Sequence, residues 1–295
     1  MNSRAATKDV RWTHWAPAVF VFLWSTGFIG ARLGTPYAEP FTFLAVRMAI
    51  ATSLLFLLAL ALKAPWPASL RQASHIAIAG LLVHGAYLGG VFSAVAHHVP
   101  LGQVALIAGL QPILTAWFAK PLFGEQVTPR QWAGMLLGFI GVALVVSSKA
   151  GSEVASPIGL AFSGLALLGI TAGTLYQKRF CGGMDLRSGG VIQFASSGIV
   201  FWLCALALES RNIAWTGEFI FALGWLTLVL SLGAISLLYL LIRRGAAAKV
   251  ASLFFLTPPV TAVMAFMLFG EQLTLPALAG MAVAAAGVAL VVRGR

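Results

Sequence analysis

Charge is scarce in this chain. Only 9% of its 295 residues are Asp, Glu, Lys or Arg, where a soluble domain carries about 25%. A chain this poor in charge, and 60% hydrophobic, would aggregate in water, so lipid is the expected solvent for most of it. Acid is scarcer still. There are eight Asp and Glu in all, and none falls near the middle of an apolar run. That weakens any mechanism in which a buried carboxylate trades a proton for an organic cation. Cysteine is limited to Cys181 and Cys204, which excludes a disulfide framework. The net charge of +11 is spread singly between apolar runs and forms no patch, so nucleic acid is not an expected partner. No stretch is left over for a soluble domain. Whatever this protein does is done by its membrane-embedded part.

What is present is a series of apolar runs. A helix needs about 20 apolar residues to cross a bilayer. Ten candidates lie at roughly 13–31, 41–62, 73–95, 100–119, 131–148, 157–178, 190–208, 219–241, 248–269 and 275–292. Runs this long and non-alternating predict helices rather than barrel strands. The first run follows Arg4, Lys8 and Arg11 in the manner of a signal peptide. No small-x-small cleavage site ends it, so it is expected to stay as the first span. Ten spans place both termini on one side. Of 19 Lys and Arg, 15 fall on that side and 4 (Arg32, Arg47, Lys149 and Arg211) on the other. The positive-inside rule then predicts both termini in the cytoplasm.

The sequence also repeats itself. Leu122-Phe123-Gly124-Glu125-Gln126 recurs as Leu268-Phe269-Gly270-Glu271-Gln272, 146 positions on. At that offset Pro112 meets Pro258, Thr115-Ala116 meets Thr261-Ala262, and Gly134-Met135 meets Gly280-Met281. The run from Gly141 to Val146 meets Gly287 to Val292 without exception. Earlier the match fades, although Gly27 still meets Gly173 and Arg32 meets Lys178. Two five-helix units follow, residues 1–148 and 149–295. Five is odd, so the second unit runs inverted through the membrane, an arrangement used by transporters that rock about one midplane site. Glu125 is then expected on the cytoplasmic side and Glu271 outside. Locally the repeated motif reads as a helix stop and start, the alternative being a catalytic or proton-carrying role for Glu125 or Glu271, which their place at the membrane surface disfavours. Glycine ends one helix, and Thr128 or Thr274 caps the next.

With these residues the chain resembles the drug/metabolite transporter superfamily, in particular its EamA-type ten-helix members. The marks are Pro112…Gly124-Glu125…Gly134…Gly141 and their copy Pro258…Gly270-Glu271…Gly280…Gly287, together with Pro40 and Arg47 at the start of the second helix. The YddG-type amino-acid exporters are the nearest pattern. The resemblance implies a bacterial inner-membrane protein. It also implies a central cavity lined mostly by helices 1, 3, 4, 6, 8 and 9, with helices 5 and 10 packed outside.

Polar groups at bilayer depth are expensive and therefore candidates for function. They are Trp24, His84, Tyr87, Gln111, Thr171, Thr174, Trp202, Ser231 and Thr257. His84 and Tyr87 are three apart and share a helix face. The hydroxyls can instead bond their own helix, and Trp202 can face lipid. Pro112 and Pro258 lie mid-helix, where each removes a backbone bond; they are hinges, or static kinks. Gly134-x-x-x-Gly138 and Gly280-x-x-x-Ala284 allow close helix contact, either within one chain or across a weak homodimer. No cofactor is implied. His97-His98 cannot converge on one metal ion, and no nucleophile–base motif supports an enzyme. The expected function is export of small metabolites, amino acids first, through one midplane cavity. The alternative is efflux of drugs or quaternary ammonium compounds.

Overall fold

The computed structural model describes residues 3–99, 101–147, 156–270 and 272–293, with side chains described from Trp15 onward except at 101–102. Ten of its helices are long and apolar enough to span a bilayer. They are helix 1 (Trp15–Tyr37), helix 2 (Pro40–Ala61), helix 3 (Leu70–Ala96), helix 4 (Gln103–Phe123) and helix 5 (Pro129–Ser147) in the first half. The second half holds helix 6 (Pro157–Phe180), helix 7 (Leu186–Leu208), helix 8 (Gly217–Arg244), helix 9 (Ala247–Phe269) and helix 10 (Leu275–Arg293). Each overlaps one predicted run. Several extend further, because polar residues end an apolar run without ending a helix. Ser69 caps helix 3 by accepting from the Gln72 N–H, and Arg243 and Arg244 finish helix 8.

The repeated motif does what its residues dictate. Gly124 and Gly270 take φ of 69° and 66°, the left-handed geometry that ends a helix and that glycine adopts without a Cβ clash. Thr128 and Gln131 then form a reciprocal cap. The threonine Oγ1 accepts from the Gln131 N–H, and the glutamine Oε1 accepts from the Thr128 N–H. Thr274 caps helix 10 through the Ala277 N–H. Glu271, the second acid of the repeat, lies outside the described residues, as does the expected junction of the two units at 148/149.

Irregularities also come in pairs. Helix 4 breaks at Gly109–Leu110, just before Pro112, and helix 9 tightens to a 3₁₀ turn at Leu253–Leu256, just before Pro258. Each proline lacks an N–H for the preceding turn. Helix 3 widens to π-helical turns at Leu81–Ala86, and helix 8 does so at Leu226–Ala234. Packing repeats the same symmetry. Helix 5 lies along helix 10, and helix 2 along helix 7; the helix 3–helix 6 contact is mirrored by helix 8 against helix 1. The fold is two inverted five-helix repeats around a central cavity.

Two of these pairs are locked. A Cβ built on Gly141 would sit 2.3 Å from the Ala284 nitrogen, and one on Gly287 would sit 2.4 Å from the Gly138 nitrogen. The small-residue motifs are thus used within one chain, to bring helices 5 and 10 into backbone contact. Helices 2 and 7 are tied by two carboxylates. Glu209 accepts from the Phe41 and Thr42 N–H groups at 2.7 and 2.6 Å. Glu39 accepts from the Ser210 hydroxyl and N–H, which holds its carboxyl below the usual range. At the other end Ser188 donates to the Pro65 carbonyl at 2.6 Å.

Candidate functional site

The face carrying the chain termini is called the near face here, and the opposite one the far face. A cavity of about 500 Å³ runs from mid-bundle to the far face. Its inner end is lined by Trp24 of helix 1, Arg47 of helix 2, His84 and Tyr87 of helix 3, and Pro258 of helix 9. Arg32, Val95, Gln103, Val146 and Ala265 line its outer part, near the far-face ends of their helices. No Asp or Glu is among the described lining residues.

Aromatic rings close the inner end. Trp24 stacks on Tyr87 at 6.2 Å and meets Phe254 edge-on at 5.2 Å, while Phe20 packs against both Trp24 and Phe254. Phe254 is available because it lies in the 3₁₀ turn before Pro258. Beyond this floor lies a second void of about 10 Å³, lined by Gln111, Thr115, Thr174, Ala247 and Phe254 among others. It holds about one water at most. The side chains around it include buried atoms with no hydrogen-bond partner: Gln111 Oε1 and Thr115 Oγ1, with Thr171 Oγ1 and Thr257 Oγ1 on the same helices. Leaving such groups unmade costs about 1–3 kcal/mol each.

The near face is sealed. Lys178, near the end of helix 6, pairs with Glu125, which follows helix 4. Lys178 also donates to the Gly245 carbonyl at 2.7 Å, and Glu125 accepts from the Ala247 N–H at 2.9 Å. Arg243 donates to the Met184 carbonyl beside them. Helices 4, 6, 8 and 9 are thereby tied at one point. Glu125, read locally as part of a helix stop, is also the acceptor that joins them.

The residues singled out in the sequence divide between these places. Trp24, His84, Tyr87 and Pro258 line the large cavity. His84 is buried, with Nε2 3.3 Å from the Tyr239 hydroxyl and its ring against Phe194. Ser231 lies behind the cavity, accepting from Arg47 Nε at 3.1 Å. Gln111 and Thr174 border the small void, within 3.5 Å of each other. Thr171, Thr257 and Pro112 are buried in the same half of the bundle. The Thr257 carbonyl accepts from Ser25 Oγ at 3.3 Å, which ties helix 9 to helix 1.

Trp202 is a correction. It is 50% exposed, on the outer surface of helix 7, because the inner surface of that helix is taken up by helix 2. Depth in the sequence gave no information about facing. Three helices are corrected as well. Helix 6 supplies the small void through Thr174 but contributes nothing to the large cavity, whereas helix 2 enters it through Arg47 and helix 5 through Val145 and Val146. Arg47 was the main residue missed. An arginine inside an apolar helix is itself a signal, since placing one at mid-bilayer costs about 2.5–3.5 kcal/mol.

The EamA-like transporter family model matches residues 12–147 and again residues 157–293. The uncharacterized transporter YvbV of Bacillus subtilis (strain 168) is 27% identical over 282 residues, covering 93% of this chain and 89% of that protein. A Streptantibioticus cattleyicolor protein named "Probable terminal-alkyne amino-acid exporter" is also 27% identical, over 95% of this chain and 93% of its own. One solved crystal structure superposes with a TM-score of 0.78 at 18% identity, covering 94% of this chain and 95% of that one. That likeness concerns the fold.

Proposed function

Because this chain belongs to the EamA-like transporter family, and so is an integral membrane transporter, we propose that it exports small neutral or zwitterionic metabolites, amino acids foremost, by alternating access. The observation that carries this reading is the large cavity, open toward the far face, tied off toward the near face, and without an acidic side chain among its described lining residues. An organic cation would find no counter-charge there. A zwitterion with an apolar side chain would find aromatic surface at Trp24 and Tyr87. The full-length similarity to a protein named as an amino-acid exporter agrees with this substrate class.

In this reading the near face is cytoplasmic, as the distribution of Lys and Arg requires, and the membrane is the inner membrane of a bacterium. The structure is then the outward-open state. The small void is the collapsed cytoplasmic half of the same path. Its unpartnered Gln111 and threonine groups gain partners, water or substrate, when that half opens. The Glu125–Lys178 pair is the latch that keeps it shut. Pro112 and Pro258, with the broken turns before them, are the hinges, and the locked helix pairs 2/7 and 5/10 are the frame. The two units meet at 148/149. No catalytic step and no cofactor is part of this cycle.

The test is solute counterflow in proteoliposomes with labelled amino acids and, in parallel, quaternary ammonium dyes. The proposal expects exchange of one or more amino acids and none of the dyes. Movement of the dyes with no amino-acid exchange would establish the multidrug alternative instead.

A further inference from the structure

Arg47 stands about two turns into helix 2 and is 3% exposed. A guanidinium stays ionised at any working pH, and burying it without an anion is costly. Its Nε donates to Ser231 Oγ at 3.1 Å. Ser231 in turn donates to the Leu226 carbonyl, five residues back across the π-helical segment of helix 8. That fixes one edge of the guanidinium. The two terminal nitrogens have no acceptor among the described residues, although Arg47 lines the cavity.

The described acids do not supply that acceptor. Glu39 and Glu209 cap across helices 2 and 7. Glu218 bonds the Tyr37 hydroxyl, Glu125 holds Lys178, and Asp185 holds Arg187. Trp24, Tyr87, Leu88, Val91 and Leu230 share the lining with Arg47 and are apolar or aromatic, while His84 at the same inner end is engaged by the Tyr239 hydroxyl. A planar fork of N–H donors, held from behind in a chamber lined mostly by apolar and aromatic side chains, matches one ligand chemistry best. That is a carboxylate taken up in bidentate fashion.

We propose that Arg47 is the carboxylate-binding residue of the transport cavity and Ser231 its positioning residue. This rests on the reading of the cavity as a transport site and names the group by which the substrate is recognised. The carboxylate docks on the Arg47 Nη atoms at the inner end of the cavity. The apolar side chain lies against Trp24 and Tyr87. The ammonium group of an amino acid is not matched by any acidic residue in the described lining, so removing the substrate's carboxylate costs more affinity than removing its ammonium group.

Binding to the purified full-length protein in detergent, followed by thermal stabilisation and titration calorimetry, tests this. The probes are phenylalanine, leucine, 3-phenylpropanoate, phenylalaninamide and 2-phenylethylamine. The expected result is that at least one carboxylate-bearing probe binds at least about tenfold more tightly than the amide and the amine. Arg47→Gln abolishes that ratio, Arg47→Lys keeps part of it, and Ser231→Ala reduces it. Should Arg47→Gln not give monodisperse protein, the wild-type ratio and the two milder variants decide. Equal affinities for acid, amide and amine overturn the proposal, as does an unchanged ratio in the variants; in both cases amino-acid transport itself can stand. Binding of 3-phenylpropanoate through Arg47 without any amino acid keeps the proposal and removes the amino-acid reading. Failure of every carboxylate to bind overturns the proposal.

Discussion

The two ends of the bundle are written in nearly the same residues and differ in what lies beside them. At the near face Gly124 ends helix 4, Glu125 follows, and Lys178 at the end of helix 6 closes onto it. At the far face Gly270 ends helix 9 in the same left-handed geometry. The residue equivalent to Lys178 is Arg32 at the end of helix 1, which lies over the Phe269 ring at 4.3 Å. Yet one end is tied shut and the other borders a cavity of about 500 Å³. In the reading proposed above, with the sequence so similar at both ends, the difference is one of conformation. A chain that can build the closed end from one repeat has the parts to build it from the other. The two arrangements need differ by only a few kcal/mol for both to be populated.

The frame should be indifferent to that exchange, and breaking it should have the largest effect. Gly141→Leu pushes a side chain into the backbone of helix 10 at a point where even a Cβ meets Ala284 at 2.3 Å. Overpacking of this kind costs about 1–3 kcal/mol. The fraction of monodisperse protein and its melting temperature should both fall, and transport should be lost at either orientation of the cavity. Next comes the latch. Lys178→Glu faces Glu125 with a like charge. It should lower net export by about tenfold, equivalent to about 1.4 kcal/mol, while the folded yield stays near wild type. The swapped double variant Glu125→Lys/Lys178→Glu should recover to within about threefold of wild type, as measured by efflux from proteoliposomes. No recovery would mean that the pair is not a latch.

The hinges should matter less. Pro258→Ala and Pro112→Ala restore a backbone N–H and straighten the breaks before them. Each should slow exchange about threefold to tenfold, on the order of 1 kcal/mol in the rate-limiting step, with little change in thermal stability. Normal rates in both variants would make the prolines packing features. The smallest effect belongs to Trp202→Ala, on the outer surface of helix 7. Transport should remain within about twofold of wild type, because a lipid-facing ring touches neither end of the path.

Much of this architecture was legible beforehand, and the reason is that its signals are local or exactly periodic along the chain. Span length follows from bilayer thickness, helix ends from Gly124, Thr128 and their copies, and inversion from an odd number of helices per repeat. What was not legible depends on which way a helix turns. Trp202 and Thr174 are both polar and deep, but packing of helix 7 on helix 2 sends one outward, and packing of helix 6 on helix 4 sends the other to the small void. In the sequence reading Arg47 is a charge on the far side and a mark of the family resemblance, not a cavity residue, although its position within an apolar helix already marks it as one. The π-helical turns at Leu81–Ala86 and Leu226–Ala234 left no mark in hydropathy, since they alter hydrogen-bond register and not composition. The Glu125–Lys178 pair joins residues far apart in sequence. Its one trace was the match of Lys178 to Arg32 at the repeat offset.

Distances across the two ends, measured together on one protein, bear on all of this. With Cys181 and Cys204 replaced, spin labels at Thr35 and Gln103 span the far mouth, and labels at Gln126 and Arg244 span the near closure. Pulsed electron spin resonance in nanodiscs, without and with a transported amino acid, reports both. Alternating access through one cavity predicts two populations in each pair and opposite shifts, with the far distance shortening as the near distance lengthens. A near distance that stays single and unchanged while the far one moves, or two distances that lengthen together, would contradict it.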